Sequence, residues 1–495
     1  MARTPHSPHS PLLTRVEQVC DDVLALGLGA AAAQVTAVRA ALDEPIRVAV
    51  VGRVKAGKST LVNALVGRKV APTAASECTR VVTWYRYGAP DRAEVVLRDG
   101  TRRTLPFDGR LPDDLGVPVA QVDRVEVHLQ AGALREVTII DTPGLATTTA
   151  ENEAATRRVL LGAPAESAGA PERASTAAAT QADAVLFLFR DAERGDEVSF
   201  LEDFAQASGE LGASAVNALG LLAQADVFGE GPWGSDDPLT LAATRAATLA
   251  TDRAGQVSDV LPVAALMAET ARTGRLREAD ARTLHALADT PDVALRLFEQ
   301  LGPPEGADPI ALRRLLALLG PYALARGRGN EGLDRLLAWL QDAAGIVAVE
   351  ELIRRRFLHR ADLLKADHAL VVLERTVAPM HGPQAAEVRA LVEQARLDAE
   401  LHPLREVRAL QLLTRSAPTS PLVEVLTTLT ERDDDRDRLG VPAGTPAADV
   451  VTLARARVGD AQAQATLAAL PAEAEAARTA ARSFLLIARR HQDAS

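Results

Sequence analysis

The sequence predicts an α/β domain built on a mostly parallel, doubly wound sheet, joined to an elongated all-α helical bundle. Three observations carry that expectation. Short, nearly continuous apolar runs, IRVAVV (46–51) and AVLFLF (184–189) among them, recur up to residue 270 with helical pattern between them. Strands buried on both faces of a parallel sheet read this way. The first run leads directly into a glycine-bracketed loop and a helical stretch, GRVKAGKSTLVNALVG (52–67). Beyond residue 270 no strand pattern persists, and apolar residues recur at helical spacing, as at Leu333, Leu336, Leu337 and Leu340.

Bulk properties narrow the class. The 495 residues correspond to two or three domains at roughly 150 residues each. A net charge of -11 argues against a protein held to nucleic acid by phosphate contacts. Two cysteines, Cys20 and Cys78, make neither a disulfide framework nor a zinc site, so a reducing cytosol is expected. The first twenty residues lack the apolar core of a signal peptide. No stretch reaches the roughly 18 uncharged apolar residues of a membrane span, so any membrane contact is expected to be peripheral.

Taken in order, residues 1–10 read as a flexible Pro/Ser/His-rich tail. Residues 11–45 read as one N-terminal helix of the bundle, with Leu12, Val16, Val19, Cys20, Val23 and Leu26 on one stripe and Pro45 ending it. Residues 46–270 form the α/β domain, with further strands at 81–88, 93–100, 125–129, 136–141, 216–222 and 260–266. Residues 162–180, rich in Ala, Ser, Pro and Gly, suit a mobile loop. Residues 271–495 form the helical part, in which Val349, Leu352, Ile353 and Phe357 share a face and prolines, Pro321 among them, punctuate the helices. The run ERDDDRDR (431–438) reads as a solvated helix end or loop. Two stretches are candidate membrane elements. PLVEVLTTL (421–429) reads more readily as a packed helix, and RSFLLIARRHQ (482–492) as a helix packed against Leu12, Val16 and Val23.

The chemistry concentrates where lysine survives. Lysine occurs only at 55, 58, 69 and 365, within a combined 55 lysines and arginines. Gly52-Arg53-Val54-Lys55-Ala56-Gly57-Lys58-Ser59 fits G-x-x-x-x-G-K-[ST], with a strand before it and a helix after it. The glycines let backbone N–H groups turn inward onto phosphate oxygens, and the helix N-terminus, with Thr60 in its first turn, adds positive potential. Lys58 is expected to bridge the β- and γ-phosphates and Ser59 to ligate Mg²⁺. Asp141-Thr-Pro-Gly144 closes the strand EVTIID. Asp141 is expected to hold Mg²⁺ through water, and the Gly144 N–H to sense the γ-phosphate. Thr79, in the segment between, is placed to complete the metal shell.

The P-loop, APTAASECTRVVTWYRYG and DTPG together resemble the bacterial dynamin-like GTPases, most of all the isoniazid-inducible dynamin-like proteins of actinobacteria and the shorter member of that pair. The likeness is most specific over 46–146. It runs more weakly through 184–266 and into IVAVEELIRRRFLHRADLLKA (346–366), which is similar to the start of a dynamin neck helix. The resemblance implies a GTPase head at 46–270 that binds GTP or GDP with Mg²⁺, and a helical neck and trunk at 271–495. It also implies head-to-head pairing with a second copy or a related dynamin-like protein. The expected place is the cytoplasm, with peripheral contact to anionic lipid and membrane remodelling or maintenance at the inner membrane face.

Two departures matter. Where the family has N/T-K-x-D, this chain has Ala223-Gln224-Ala225-Asp226. Asp226 keeps the carboxylate that reads guanine, while Gln224 replaces the lysine that covers the base. The loop near Ala264 and Ala265 is a weaker candidate for reading guanine O6. Leu145 follows DTPG where small signalling GTPases have a water-orienting glutamine, so slow turnover by a single head is expected. The position of Lys55 resembles that of the cis arginine finger of guanylate-binding proteins, so Lys55, with Lys58, Thr79 and Gly144, is a catalytic candidate, and Arg53 a second source of charge. A rival reading is a nucleotide-gated adapter of a larger dynamin-like protein that never touches lipid. A third, an RNA-associated GTPase of the ribosome-assembly kind, conflicts with the acidic charge.

Overall fold

A computed structural model describes residues 10–52, 55–72, 81–142, 182–190, 217–253, 256–432 and 434–493. Strand β1 (Ile46–Gly52) is buried along its whole length, because it runs parallel between β6 (Val137–Asp141) and β7 (Ala184–Phe189) at the centre of the sheet. Its uninterrupted apolar run is the signature of that position. On one side β8 (Ala218–Ala223) and β9 (Val260–Val263) continue in parallel. On the other, β2 (Thr83–Tyr87) pairs antiparallel with β6, and β5 (Val122–Leu129), β3 (Arg92–Leu97) and β4 (Arg102–Leu105) follow. Among the described residues the order is β4-β3-β5-β2-β6-β1-β7-β8-β9. Parallel pairs predominate, as expected of a mostly parallel sheet, and the antiparallel pairs are confined to the half from β2 to β4. Strand β4 was not anticipated. Its residues RRT are exposed and only Leu105 is buried, so it carries no apolar run, as suits a polar edge strand.

The N-terminal segment is two helices, not one: α1 (Pro11–Ala25) and α2 (Ala32–Leu42). The break falls at Leu-Gly-Leu-Gly, residues 26–29, where two glycines within four residues are poor helix formers. Helix α3 (Lys58–Val66) follows the P-loop, α4 (Pro238–Asp252) precedes β9, and α5 (Ala265–Arg272) follows it. Then come α6 (Glu278–His285), α7 (Pro309–Arg326), α8 (Leu333–Ala343) and α9 (Ile346–Ile353). Their buried residues, including Leu284, Leu315, Leu336 and Val349, are continuous with Val263 and Met267 of the sheet side. One core therefore runs from β1 to Leu364, across the boundary expected at residue 271.

A second core gathers α1 and α2 with α10 (Ala361–Val377), α11 (Pro383–Leu397), α12 (His402–Ser416), α13 (Leu422–Glu431), α14 (Ala447–Leu467) and α15 (Pro471–Asp493). Both chain ends enter it. Helix α1 packs on α10 and α11, and α15 on α12, α13 and α14, with residues of α1 and α15 in one common core. The two stretches weighed as membrane elements bury Leu422, Leu426, Leu429, Phe484 and Ile487 in this core. No helix among the described residues is long and apolar enough to cross a membrane.

The two cores meet at a turn of π-helix, Arg354–Leu358. Here the charge run proves to be a fastening, not a solvated end. Arg356 pairs with Glu431 of that run and, at 2.8 Å, with Asp259 just ahead of β9. Asp434 caps the turn after it, Asp435 pairs with Arg490, and Arg438 reaches the buried Glu406. Close by, Lys365 donates to the last carbonyls of the N-terminal hairpin, Leu42 O at 2.7 Å and Glu44 O at 3.2 Å. Arg47, buried at the start of β1, meets the equally buried Asp183 at 3.1 Å.

Arg360, one helical turn past Arg356, is 3% exposed, and its Nε and one terminal nitrogen find no hydrogen-bond partner among the described residues. Burial, and then the neighbouring Arg356, push its pKa down to about 9. An uncompensated buried charge costs several kcal/mol. Arg360→Met is therefore expected to raise stability. Thermal unfolding should shift upward by about 2–4 °C for each kcal/mol recovered in a domain of this size, and an unchanged or lower midpoint would show that the guanidinium is compensated after all.

Candidate functional site

The site lies at the carboxyl edge of β1, β6 and β8. Gly52 ends β1 with φ 154, beside β7, where a Cβ would stand 2.3 Å from Leu188 O. No side chain fits there, which explains the first P-loop glycine. Gly57 caps α3 in the left-handed region. Ala56 is buried, Gly57, Ser59 and Thr60 are half-buried, and Lys55 is exposed. Arg53 and Val54 lie outside the described residues, as do Thr79 and Gly144.

Lys58 opens α3 and is 7% exposed. Burial lowers its pKa, against the pull of Asp141. Ser59 Oγ donates to Asp141 Oδ2 at 2.8 Å. Asp141 Oδ1 is buried and finds no hydrogen-bond partner among the described residues. Burial raises the Asp141 pKa, while Lys58 and Ser59 oppose the rise. Thr142 Oγ1 donates to Val50 O at 2.8 Å, which ties the end of β6 to β1. A hydroxyl, a carboxylate and an orphaned carboxylate oxygen at a hard-oxygen site fit Mg²⁺ chemistry.

Gln224 and Lys55 are the two non-glycine residues with positive φ among the described residues, at 60° and 63°. They touch: Gln224 Nε2 donates to Lys55 O at 3.4 Å. The loop after β8 is thus joined to the P-loop through a neutral amide. Asp226, two residues on, is 7% exposed, and burial raises its pKa. Ala264 does not offer its N–H to a base, because it donates to Ala344 O at 3.0 Å. Ala265 opens α5 beside Gly57.

Sequence reasoning missed the support beneath this site. Asn63, fully buried in α3, accepts from the Val70 and Ala71 N–H groups at 2.9 and 2.7 Å and donates to Glu269 of α5 at 2.7 Å. It fixes the chain that leaves α3 toward residue 72. The signal was present as a lone polar residue in TLVNALV. A separate group, Glu94, Glu126 and His128, lies close enough to hold a metal ion. Arg102 and Arg124 already pair with Glu126 at 2.9 and 2.6 Å, so the group is an ion-pair lattice.

A strand that bends at glycine into a helix, with a lysine buried at the helix start and a hydroxyl–carboxylate pair under it, defines a P-loop nucleotide-binding head. The family described as 50S ribosome-binding GTPase matches this chain over residues 47–213. The isoniazid-induced protein IniC of Mycobacterium tuberculosis is 34% identical over 408 residues, covering 78% of this chain and 77% of that one. The bacterial dynamin-like protein of Nostoc punctiforme is 31% identical over 122 residues, 22% of this chain and 18% of its own. A solved oligomerised bacterial dynamin pair, described as providing a mechanism for long-range sensing and tethering of membranes, shares 13% identity. Its TM-score is 0.33, covering 99% of this chain and 77% of that one. The chain belongs to the bacterial dynamin-like GTPases, with the mycobacterial IniC among its relatives, and is a GTP hydrolase by that membership.

Proposed function

We propose that the head binds GTP with Mg²⁺ and hydrolyses it slowly alone and faster when two heads pair. The helical part then carries the resulting motion to a membrane at its inner face. The observation that supports this most is the Lys58–Asp141–Ser59 arrangement at the P-loop, built beside the loop that holds Asp226. Lys58 neutralises the β- and γ-phosphates, and backbone N–H groups from Ala56 to Thr60 orient them. Ser59 and Asp141, with Thr79, would hold Mg²⁺, which when bound neutralises charge on the phosphates. Gly144 would register the γ-phosphate. Asp226 accepts from the guanine edge, and Gln224 packs over the base where the family's lysine would lie, without that lysine's charge.

The continuity of the second core supports the mechanical part: α1, α2 and α10 to α15 form one body, joined to the head at Arg356, which pairs with Asp259 ahead of β9 and with Glu431 of α13. Exposed apolar residues at the turn between α14 and α15, Leu467 and Leu470, make that turn the candidate lipid-facing end.

Turnover per molecule should climb with protein concentration and ignore excess ATP. A flat rate would remove the pairing mechanism, and loss of rate under ATP would remove guanine selectivity. Co-sedimentation with anionic liposomes in the same samples separates membrane action from an adapter role.

A further inference from the structure

We infer that Gly320 is a positioning residue for base recognition: the break in α7 forms the wall behind Asp226 and sets where its carboxylate stands. This rests on the reading of Asp226 as the group that accepts from guanine.

Asp226 is nearly buried, yet none of its described contacts is a hydrogen bond from another side chain, and its one hydrogen-bonded backbone N–H is its own. A carboxylate that deep in a protein ordinarily collects donors. Its acceptor capacity is kept open, and something other than hydrogen bonds must hold it in place. Helix α7 supplies that. Its pattern reads as helical from Pro309 to Arg326, but Gly320 departs from helix with φ 74 and ψ 172, immediately ahead of Pro321. Proline cannot continue the ladder and pushes the residue before it out of the helical region. The conformation adopted is one that essentially only glycine occupies. The result is a bare stretch of backbone turned toward the loop after β8. A Cβ on residue 320 would stand 3.4 Å from Asp226 Oδ2 and 3.6 Å from Leu266 Cδ2.

The break is held from both sides. Before it, Leu318 O accepts from Thr270 Oγ1 of α5. After it, Tyr322 donates from its hydroxyl to Asp237 Oδ1 at 2.9 Å, and its ring stacks on Trp339 at 6.3 Å and 5°. Asp237 is itself the cap of α4, accepting from Thr240 N. A Cβ at these distances is in ordinary contact, so an alanine at 320 is strained by its backbone and not by a clash. With α7 pinned to α4, α5 and α8, the change of φ and ψ that relieves this strain alters the surface against which Asp226 rests. The loop backed by this wall also carries Gln224, which bonds the Lys55 carbonyl, so base preference, not turnover, is the readout that isolates the wall.

The test is Gly320→Ala, with GDP and IDP affinities measured side by side, since inosine lacks the 2-amino group that the carboxylate would accept from. GDP affinity should fall about tenfold, the scale of a weakened charged hydrogen bond. IDP affinity should fall less, so the preference for guanine narrows. A structural loss alone would lower the melting midpoint and leave the GDP/IDP ratio where it was, which would overturn the inference. Asp226→Asn separates the two levels. If wild type shows no guanine preference, or Asp226→Asn keeps it, the reading of Asp226 fails and this inference with it. If Asp226→Asn abolishes the preference and Gly320→Ala leaves it intact, only the role of Gly320 fails. Should Gly320→Ala not fold, Tyr322→Phe loosens the same wall without backbone strain. It should narrow the ratio in the same direction, and an unchanged ratio would again overturn the inference.

Discussion

Lys58→Ala is expected to abolish measurable GTP turnover, with kcat/KM down by at least about 10³ from the loss of a phosphate-facing charge in a desolvated site. Lys58 is held at the mouth of α3 with little exposure, and burial already depresses its pKa. A triphosphate brings the anionic charge that favours its protonated form, so part of the free energy of binding is the recovery of that desolvated cation. Its removal also acts on Asp141, because Lys58 is what draws the Asp141 carboxyl down against burial. Without it burial is opposed by Ser59 alone and the carboxyl's pKa moves further up, which weakens the metal end of the site as well. Stability of the free protein should fall, since the deletion leaves the buried Asp141 carboxyl without its cation, so binding and turnover are read on protein shown to be folded. Lys58→Arg should not rescue, as a planar guanidinium is wider and cannot stand in the compact slot of an ammonium. Equilibrium binding of a fluorescent GDP, single-turnover hydrolysis and thermal unfolding on one preparation check all three statements. GDP affinity and turnover within about twofold of wild type would sink the assignment.

The P-loop was readable because its constraints are local. A buried central strand must be apolar throughout, the residue at its end must lack a Cβ beside Leu188 O, and the helix after it must begin with a cation. Asp141 was readable for the same reason, as a carboxylate at the end of a neighbouring buried strand. What escaped notice depends on contacts far apart in the chain. Strand β4 is an exposed polar edge with no apolar pattern of its own, and its pairing with β3 is set by the turn between them. The charge run 431–438 looks solvated until the fold brings Arg356 and Glu406 against it. Pro321 reads as ordinary helix punctuation, since nothing local says that Asp226, some ninety residues earlier, lies behind the break at Gly320. The single helix expected over 11–45 is two for a local reason: its apolar stripe is genuine on α1, but paired glycines outweigh periodicity at the turn.

Lys55→Ala tests whether this head carries its own transition-state charge. We propose that the Lys55 ammonium stabilises charge developing between the β- and γ-phosphates. The prediction is a fall in kcat of roughly 10³, at the low end of what an arginine finger supplies, with GTP affinity changed by less than about threefold. The Lys55 side chain is exposed. Its backbone is not free. A left-handed φ of 63° at a non-glycine residue costs energy and persists only where the surroundings enforce it. Here the enforcing contact is the Gln224 amide on the Lys55 carbonyl, from a residue that is itself left-handed. The base-side loop thus holds the residue that would act on the phosphates. Lys55→Gly removes the same charge and also relieves the backbone strain, so the pair of variants separates charge from conformation. Equal losses in Ala and Gly point to the ammonium. A loss in Gly alone points to the backbone. Wild-type turnover in both leaves the charge to be supplied across the head-to-head contact, and turnover should then depend on protein concentration as steeply in the variants as in the native chain.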